Sequence, residues 1–174
     1  LITGGPGFIG ANFVLDWLTQ TDEPILNLDK LTYAGNRENL ASLEGDARHV
    51  FVQGDIGDTA MVQQLLAEHR PRAVLNFAAE SHVDRSIHGP AEFIQTNVLG
   101  TYHLLEACRD AWQASPPGTA HRFHHLSTDE VFGSLGSGGH FCEITAYAPN
   151  SPYSASKAAS DMLVRAWTHT YRLP

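Results

Sequence analysis

Three glycines at the start of the chain constrain its fold more than any other feature. Gly4, Gly7 and Gly10 follow a short apolar run, and an apolar stripe with helical spacing begins at Phe13. Glycines at such a junction let the backbone turn tightly and approach a pyrophosphate, whose charge is attracted by the N–H groups at the helix start. A glycine triplet alone also occurs in plain turns. The order of strand, glycines, helix and second strand indicates a dinucleotide site.

The rest of the chain alternates strands with helices. Apolar runs at 25–28, 50–53, 73–79 and 122–127 predict four more strands, and amphipathic segments lie between several of them. This alternation predicts an α/β fold with a doubly wound parallel sheet, of Rossmann type and three layers, whose ligand lies across the carboxyl ends of the strands. The 174 residues are enough for one domain with a sizeable core.

Composition narrows the possible partners. An apolar fraction of 43% and a charged fraction of 17% are ordinary for globular proteins. A net charge of −8 argues against nucleic acid and anionic membranes, and no apolar run reaches the roughly 18 residues of a membrane span. Cys108 and Cys142 have no metal-type spacing and suit a reducing cytosol, so we expect a cytoplasmic protein. His124 and His125 would point to opposite strand faces, so we predict no metal site.

Acids follow two of the predicted strands. Asp29 comes at the end of the second strand, roughly 20 residues after the glycines, where a carboxylate binds the ribose diol of a dinucleotide. Its charge would repel a 2′-phosphate, which favours NAD over NADP, although the neighbouring Lys30 could tolerate such a phosphate. Asp55 follows the third strand, and the small Ala78 and Ala79 at the end of the fourth leave room for a cofactor.

A tyrosine and a lysine near the end of the chain form a Y-x-x-x-K pattern. Tyr153 and Lys157 are four residues apart and therefore share one face of a helix. A nearby ammonium lowers the pKa of a tyrosine, so we expect Tyr153 to take a proton from a sugar or alcohol hydroxyl. Lys157 could also reach a ribose. The pattern occurs by chance in many helices, and its position after a dinucleotide fold is what favours a catalytic role.

Thr128, Asp129 and Glu130 follow the fifth predicted strand at the same edge of the sheet. Thr128 could hydrogen-bond the reacting hydroxyl or ketone. Oxidation and reduction need no carboxylates, whereas elimination of water needs a base and an acid, and two carboxyls with separated pKa values can divide these roles. The alternative interpretation is a capping aspartate and a solvated glutamate in a loop.

A long amphipathic helix is predicted after the Gly89–Pro90 break. Apolar residues recur every three or four positions from Ile94 to Trp112, and the helix should end at the proline-rich turn 115–118. Its apolar groups could serve the core alone, or they could also contact a second subunit. Both interpretations are open at this stage.

Seven motifs taken together resemble the extended short-chain dehydrogenase/reductase family, and within it the dTDP-glucose 4,6-dehydratases. They are TGGPGFIG, DKLTYAGN, GDI, AAESHVDRSI, TNVLGT, HHLSTDEVFG and TAYAPNSPYSASKAASD, and they extend over essentially the whole chain. The resemblance implies that residues 1–174 are an NAD-binding Rossmann domain that carries the catalytic residues. It also implies a fragment, because proteins of this family are about twice as long and hold their substrate domain in the second half.

The resemblance also implies a set of site residues. Ser81 and Thr128 would contact the nucleotide-sugar substrate, and Thr128, Asp129, Glu130, Tyr153 and Lys157 would carry the catalysis. NAD would be bound by Gly4, Gly7, Phe8, Ile9, Gly10, Asp29, Lys30, Leu31, Thr32, Asp55, Ile56, Phe77, Ala78, Ala79, Ser81, Thr96, Tyr153 and Lys157.

The implied reaction is oxidation at C4 of the sugar, elimination of water across C5 and C6, and return of hydride to C6. Tyr153 would take the C4 hydroxyl proton, Glu130 the C5 proton, and Asp129 would protonate the departing C6 hydroxyl. A nucleotide-sugar 4-epimerase and a non-catalytic NAD-binding sensor remain the alternatives, and UDP-glucose remains a possible substrate. Relatives suggest a homodimer through helices 91–113 and 153–171. The chain departs from the family at Phe132, where tyrosine is usual, and in a shortened, glycine-rich loop at 133–143.

Overall fold

The fold is organised around one parallel sheet of five strands. In the computed structural model, which describes residues 1–116 and 118–174, the strands are β1 (Ile2–Thr3), β2 (Ile25–Asp29), β3 (His49–Gln53), β4 (Ala73–Asn76) and β5 (Arg122–His125). They lie in the order β3-β2-β1-β4-β5, and every neighbouring pair is parallel. The predicted doubly wound α/β sheet is confirmed. Strand order reverses at β1, so a crevice is expected beside its carboxyl end.

Helices cover both faces of the sheet. They are α1 (Phe8–Gln20), α2 (Thr59–His69), α3 (Val83–His88), α4 (Pro90–Phe93), α5 (Thr101–Gln113) and α6 (Pro152–Tyr171). One core cluster joins the sheet to α2, α5 and α6, and a smaller one, around Val14 and Leu18, joins it to α1. The result is three layers, as predicted. None of the helices in the described part of the chain is both long and apolar enough to cross a membrane.

Two strands are shorter than predicted. The run 73–79 pairs only as far as Asn76, because its neighbour β1 turns away at Gly4, whose φ is +72°. Beyond that point the N–H of Ala78 donates to the side-chain Oγ1 of Thr3 at 3.2 Å and not to a strand carbonyl. The fifth strand stops at His125, two residues before the predicted end. The segments that follow β4 and β5 therefore both leave the sheet at the edge where a ligand is expected.

The predicted continuous helix after Pro90 is interrupted. A π-helical stretch, Ile94–Gly100, separates α4 from α5, and the wider π turn shifts the register of the helix faces. Ile94 and Tyr102 are 47% and 36% exposed, whereas Leu105 and Cys108 are fully buried. The apolar stripe inferred from spacing is therefore core only in its second half. α5 ends at Gln113, and the predicted turn 115–118 includes Pro117, which lies outside the described residues.

Candidate active site

A cavity of about 500 Å³ opens at the carboxyl ends of the strands, within the usual size range of small-molecule sites. Leu31, a predicted cofactor residue, does not line it. The chain turns at that residue with φ +56°, and its N–H donates to Oδ1 of Asp29 at 2.6 Å. The predicted cofactor residues that line the cavity are Gly4, Gly7, Phe8, Ile9, Gly10, Asp29, Lys30, Thr32, Asp55, Ile56, Phe77, Ala78, Ala79, Ser81, Thr96, Tyr153 and Lys157.

The glycine loop is built by close approaches of backbone to backbone. A Cβ on Gly4 would lie 2.6 Å from the nitrogen of Ala78, and one on Gly10 would lie 2.3 Å from the carbonyl oxygen of Gly4. Gly7 precedes α1 without a side-chain cap, so the first N–H groups of the helix are available to an anion. Phe8 at the same edge is 83% exposed. A loop with these properties fits the pyrophosphate of a dinucleotide.

Three charged groups surround the ends of β2 and β3. Burial raises the pKa of Asp29, although the hydrogen bond from Leu31 opposes this effect. Nζ of Lys30 lies 2.8 Å from Oδ2 of Asp55, and this contact raises the pKa of Lys30. Burial acts to raise the pKa of Asp55, but the hydrogen bonds from Lys30 and from the N–H of Gly57, with the charge of Lys30, together outweigh it and the net pKa is lowered. The charge of Lys30 is therefore already paired, which weakens the interpretation that it accommodates a 2′-phosphate.

Asn97 holds one wall of the cavity and was not singled out from the sequence. Its Oδ1 accepts from the N–H of Glu80 at 2.8 Å, and its Nδ2 donates to the carbonyl of Glu80 at 2.9 Å and to Oγ of Ser156 at 2.8 Å. Asn97 is buried within the π-helical stretch, next to Thr96 of the cavity wall. A polar residue in the middle of a helix with apolar periodicity was the available signal for it.

The first turn of α6 presents Tyr153 to the cavity. Ser151 and Ser154 form a reciprocal capping box, with hydrogen bonds of 3.0 and 2.9 Å, that starts the helix at Pro152. One turn later, Nζ of Lys157 donates to the carbonyl oxygen of Leu126 at 2.5 Å, and burial lowers the pKa of Lys157 to about 8.

The pKa of Tyr153 differs from the sequence-based expectation. Burial raises it, the Thr128 side chain lowers it, and the carboxylates of Glu130, Asp129 and Asp161 raise it further. The predicted lowering of this pKa is therefore wrong for this structure. The ammonium of Lys157 is engaged with Leu126, and the desolvation of the phenol has the largest effect.

The carboxylate pair lies in a 3-10 helical turn, Asp129–Phe132, directly after β5. Thr128 caps this turn, because its Oγ1 accepts from the N–H of Glu130 at 3.3 Å. The alternative of a capping aspartate is therefore wrong. Thr128, Asp129 and Glu130 do not line the cavity, but the neighbouring Ser127 does. Their turn packs against α6, the helix that carries Tyr153, and all three residues act on the pKa of its phenol.

Phe132 packs against the loop that follows it. The ring of Phe132 lies 5.4 Å from the rings of both Phe141 and Tyr147. Gly133 leaves the turn with φ +95°, and a Cβ there would lie 2.7 Å from the carbonyl oxygen of Ala148. The loop is therefore anchored on the turn that carries the carboxylates.

His124 and His125 lie on opposite faces of β5, as predicted. His124 borders an apolar groove on the α1 side of the sheet, whereas His125 contacts Asn76 and Ser160 on the α6 side. This arrangement separates the two imidazoles by the thickness of the sheet.

Comparison with known proteins agrees with this geometry. The family model described as GDP-mannose 4,6 dehydratase matches residues 1–174. The chain belongs to this family. Among curated members, dTDP-glucose 4,6-dehydratase of Xanthomonas campestris pv. campestris is 66% identical over 100% of this chain and 50% of its own length. A dTDP-glucose 4,6-dehydratase of Escherichia coli is 54% identical over 100% of this chain and 51% of its own. The chain thus spans about half the length of these relatives.

Solved structures of dehydratases and epimerases share the fold. DesIV, a dTDP-glucose 4,6-dehydratase from Streptomyces venezuelae crystallised with NAD, matches with a TM-score of 0.91 and 46% identity over 99% of this chain and 52% of that chain. A UDP-glucose 4-epimerase from Thermus thermophilus, in complex with NAD, matches with a TM-score of 0.83 and 32% identity over 99% of this chain and 51% of that chain. The fold is common to both activities, so the side chains must distinguish them.

Proposed function

We propose that the protein carrying this chain catalyses the NAD-dependent 4,6-dehydration of dTDP-glucose to dTDP-4-keto-6-deoxyglucose. One observation carries the proposal: a buried tyrosine and lysine lie at a dinucleotide-sized cavity, and the turn that carries a threonine and two carboxyls packs against their helix. The similarity to dTDP-glucose 4,6-dehydratases, at 66% identity for one of them, supports it.

The glycine loop and the strand ends would hold the cofactor. The α1 N-terminus suits the pyrophosphate, and Asp29 suits the adenosine ribose. Because Lys30 is paired with Asp55, Asp29 is the group that would act on a 2′-substituent, and its charge favours NAD. NAD, when bound, supplies a hydride acceptor and donor at its nicotinamide. Residues 1–174 would then form the cofactor domain with its catalytic groups, and the substrate domain would lie in the other half of the protein.

The chain's own residues would handle the protons. Tyr153 would take the C4 hydroxyl proton, with Thr128 hydrogen-bonded to the same oxygen. Oxidation at C4 makes the neighbouring C5 proton acidic, and Glu130 would remove it while Asp129 protonates the C6 hydroxyl as it leaves as water. Ser81 and Thr128 would contact the sugar. The two carboxyls are not equally accessible, since Asp129 is exposed and Glu130 is half-buried.

The proposal is tested by incubating the complete protein with dTDP-glucose and measuring the absorbance that a 4-keto-6-deoxy product develops in base. Turnover of dTDP-glucose with little turnover of UDP-glucose is the expected result. A product inverted at C4 would identify a 4-epimerase instead, and NAD binding without any turnover would identify a sensor.

We further propose a homodimer, formed through helices 91–113 and 153–171, in a cytoplasmic protein. The support is a set of exposed apolar side chains on these helices: Ile94, Leu99, Tyr102, Met162 and Tyr171. Monomeric proteins rarely expose large contiguous apolar patches. Sedimentation equilibrium of the complete protein should give twice the monomer mass, and a monomer at micromolar concentration would contradict the proposal.

A further inference from the structure

Asp161 joins three parts of the active-site region. It lies on α6 one turn after Lys157, and its side chain is only 11% exposed. Its Oδ2 accepts a hydrogen bond from Oγ of Ser127 at 2.5 Å and another from the hydroxyl of Tyr147 at 2.9 Å. One carboxylate thus connects α6, the segment between β5 and the catalytic turn, and the loop that follows that turn.

Lys157 and Asp161 hold two consecutive residues of the same segment. Lys157 donates to the carbonyl of Leu126, and Asp161 accepts from the hydroxyl of Ser127. The next residue, Thr128, begins the turn that carries the carboxylate pair. Because Tyr153 is on the same helix, α6 sets the distance between the tyrosine and the turn through these two contacts.

The other side of the turn is held through Tyr147. Its ring packs edge-on against Phe132, the last residue of the turn, and its hydroxyl reaches Asp161. The N–H of Ala148 donates to the carbonyl of Val131 at 2.9 Å. Asp161 therefore fixes the turn at its start through Ser127 and at its end through Tyr147.

The contact between Asp161 and His125 is not an ion pair. Oδ1 of Asn76 accepts from Thr3 at 2.6 Å, so its Nδ2 donates to Nδ1 of His125 at 3.2 Å, and the imidazole proton is on Nε2. Burial lowers the pKa of His125 to about 3, and the imidazole is neutral. Nε2 lies 3.1 Å from Oγ of Ser160 and 3.5 Å from Oδ1 of Asp161. Asp161 therefore acts here as a hydrogen-bond acceptor, a role that an amide oxygen can share.

We propose that Asp161 is a positioning residue that holds Thr128, Asp129 and Glu130 in register with Tyr153. The inference rests on the proposed function, because these are the groups assigned to dehydration. Asp161 lies outside the residues that line the cavity and touches no predicted cofactor residue through a hydrogen bond. Its loss should therefore affect turnover and leave cofactor binding intact.

The test compares Asp161→Ala, Asp161→Asn and the control Asp46→Ala in the complete protein. Asp46 is a matched control because its partly buried carboxylate also accepts several hydrogen bonds, all from Arg48, and it is remote from the cavity. The readouts are kcat, KM, NAD affinity by fluorescence titration, and hydrogen–deuterium exchange of residues 126–132. Since a misplacement of about 1 Å can cost about 10²-fold in rate, we expect Asp161→Ala to lower kcat by about 10²-fold.

The expected pattern is specific. For Asp161→Ala, KM and NAD affinity should stay within threefold of wild type and exchange should rise in residues 126–132, whereas Asp161→Asn should recover at least a tenth of the wild-type kcat. Adding Tyr147→Phe to Asp161→Ala should cost nothing more, because both remove the same hydrogen bond and Tyr147 does not line the cavity. A kcat of Asp161→Ala within twofold of wild type would overturn the proposal, as would loss of NAD affinity in parallel with kcat.

The two proposals fail separately. Wild-type turnover of dTDP-glucose tests the function, and the change in exchange of residues 126–132 tests the placement by Asp161 even in a protein that turns over nothing. Unchanged exchange in that segment would overturn the inference whatever the activity.

Discussion

The two ends of the cavity are held in shape by different kinds of contact. At the glycine loop, backbone packs against backbone, and the critical distances are those between Gly4 or Gly10 and the main chain. At the reactive end, α6 positions the turn after β5 through side-chain hydrogen bonds from Lys157 and to Asp161. At Gly4 and Gly10 no larger residue is tolerated, because an added Cβ would overlap the neighbouring main chain. The reactive end depends on a few polar contacts between parts of the chain that are far apart in sequence.

The largest effects are expected from substitution of the two carboxylates at the reactive end, and each substitution should affect a different step. Loss of a general acid or base typically costs 10²- to 10⁴-fold. Glu130→Gln should therefore slow exchange of the C5 proton with solvent by at least about 10²-fold, while oxidation at C4 and NAD affinity survive. Asp129→Asn should instead slow loss of the C6 hydroxyl. Undiminished C5 exchange in Glu130→Gln would show that this glutamate is not the base.

Substitution of a glycine at the other end of the cavity should lower both the affinity for NAD and the free energy of unfolding. Gly4→Ala adds a Cβ 2.6 Å from Ala78 and also strains a left-handed residue, whereas Gly45→Ala meets a similar φ of +82° with nothing within 4 Å. We expect Gly4→Ala to cost about 4 kcal/mol of unfolding free energy and Gly45→Ala only about 1 kcal/mol. NAD affinity should fall more than tenfold in the first variant alone, as judged by calorimetric titration. Equal effects of the two substitutions would mean that strain, and not close approach, makes glycine necessary here.

The buried ammonium at the reactive end should carry a stability cost that depends on pH. The pKa of Lys157 is lowered from its ordinary 10.5 to about 8, so between these values the unfolded chain binds more protons than the folded one and stability rises with pH. As the pH rises from about 8 to 10.5, the free energy of unfolding of the wild type should increase by roughly 3 kcal/mol relative to that of Lys157→Met. Urea unfolding of both proteins from pH 7 to 10.5 measures the difference. A constant difference would show that the ammonium is not desolvated as the structure has it.

The smallest expected effect concerns His125, which supports the same end. Its pKa is lowered to about 3 by burial, so below its ordinary value near 6.5 the unfolded state takes up a proton that the folded state does not, and stability falls with falling pH. His125→Asn keeps polar groups at this position but cannot titrate. Between pH 6.5 and 5 its free energy of unfolding should fall by roughly 2 kcal/mol less than that of the wild type. Urea unfolding of both proteins between pH 6.5 and 5 measures the difference, and an equal loss of unfolding free energy in the two would show that burial does not hold His125 neutral.

Much of the fold followed from local patterns. Parallel strands appeared wherever short apolar runs alternated with amphipathic segments, and the residues after those runs line the cavity because the ends of parallel strands meet at one edge. The predictions failed where contacts with another element, or an irregular helical turn, set the ends of a strand or the faces of a helix. The strand before Ala79 ended early because β1 turned away from it, and the helix after Pro90 changed register in a π turn that no spacing rule indicated.

By itself, the sequence determined the order of elements, the glycine loop, the placement of Tyr153 and Lys157 on one helix face, and membership of a dehydratase-like family. These features depend on residues within a few positions of one another, where backbone geometry and side-chain size act directly. Only the tertiary structure decided that Lys157 is engaged with Leu126, that Asn97 supports the wall at Glu80, and that Asp161 joins Ser127 to Tyr147. Hydrogen bonds between residues so far apart follow from the packing of whole elements, and that packing leaves no periodic trace in the chain.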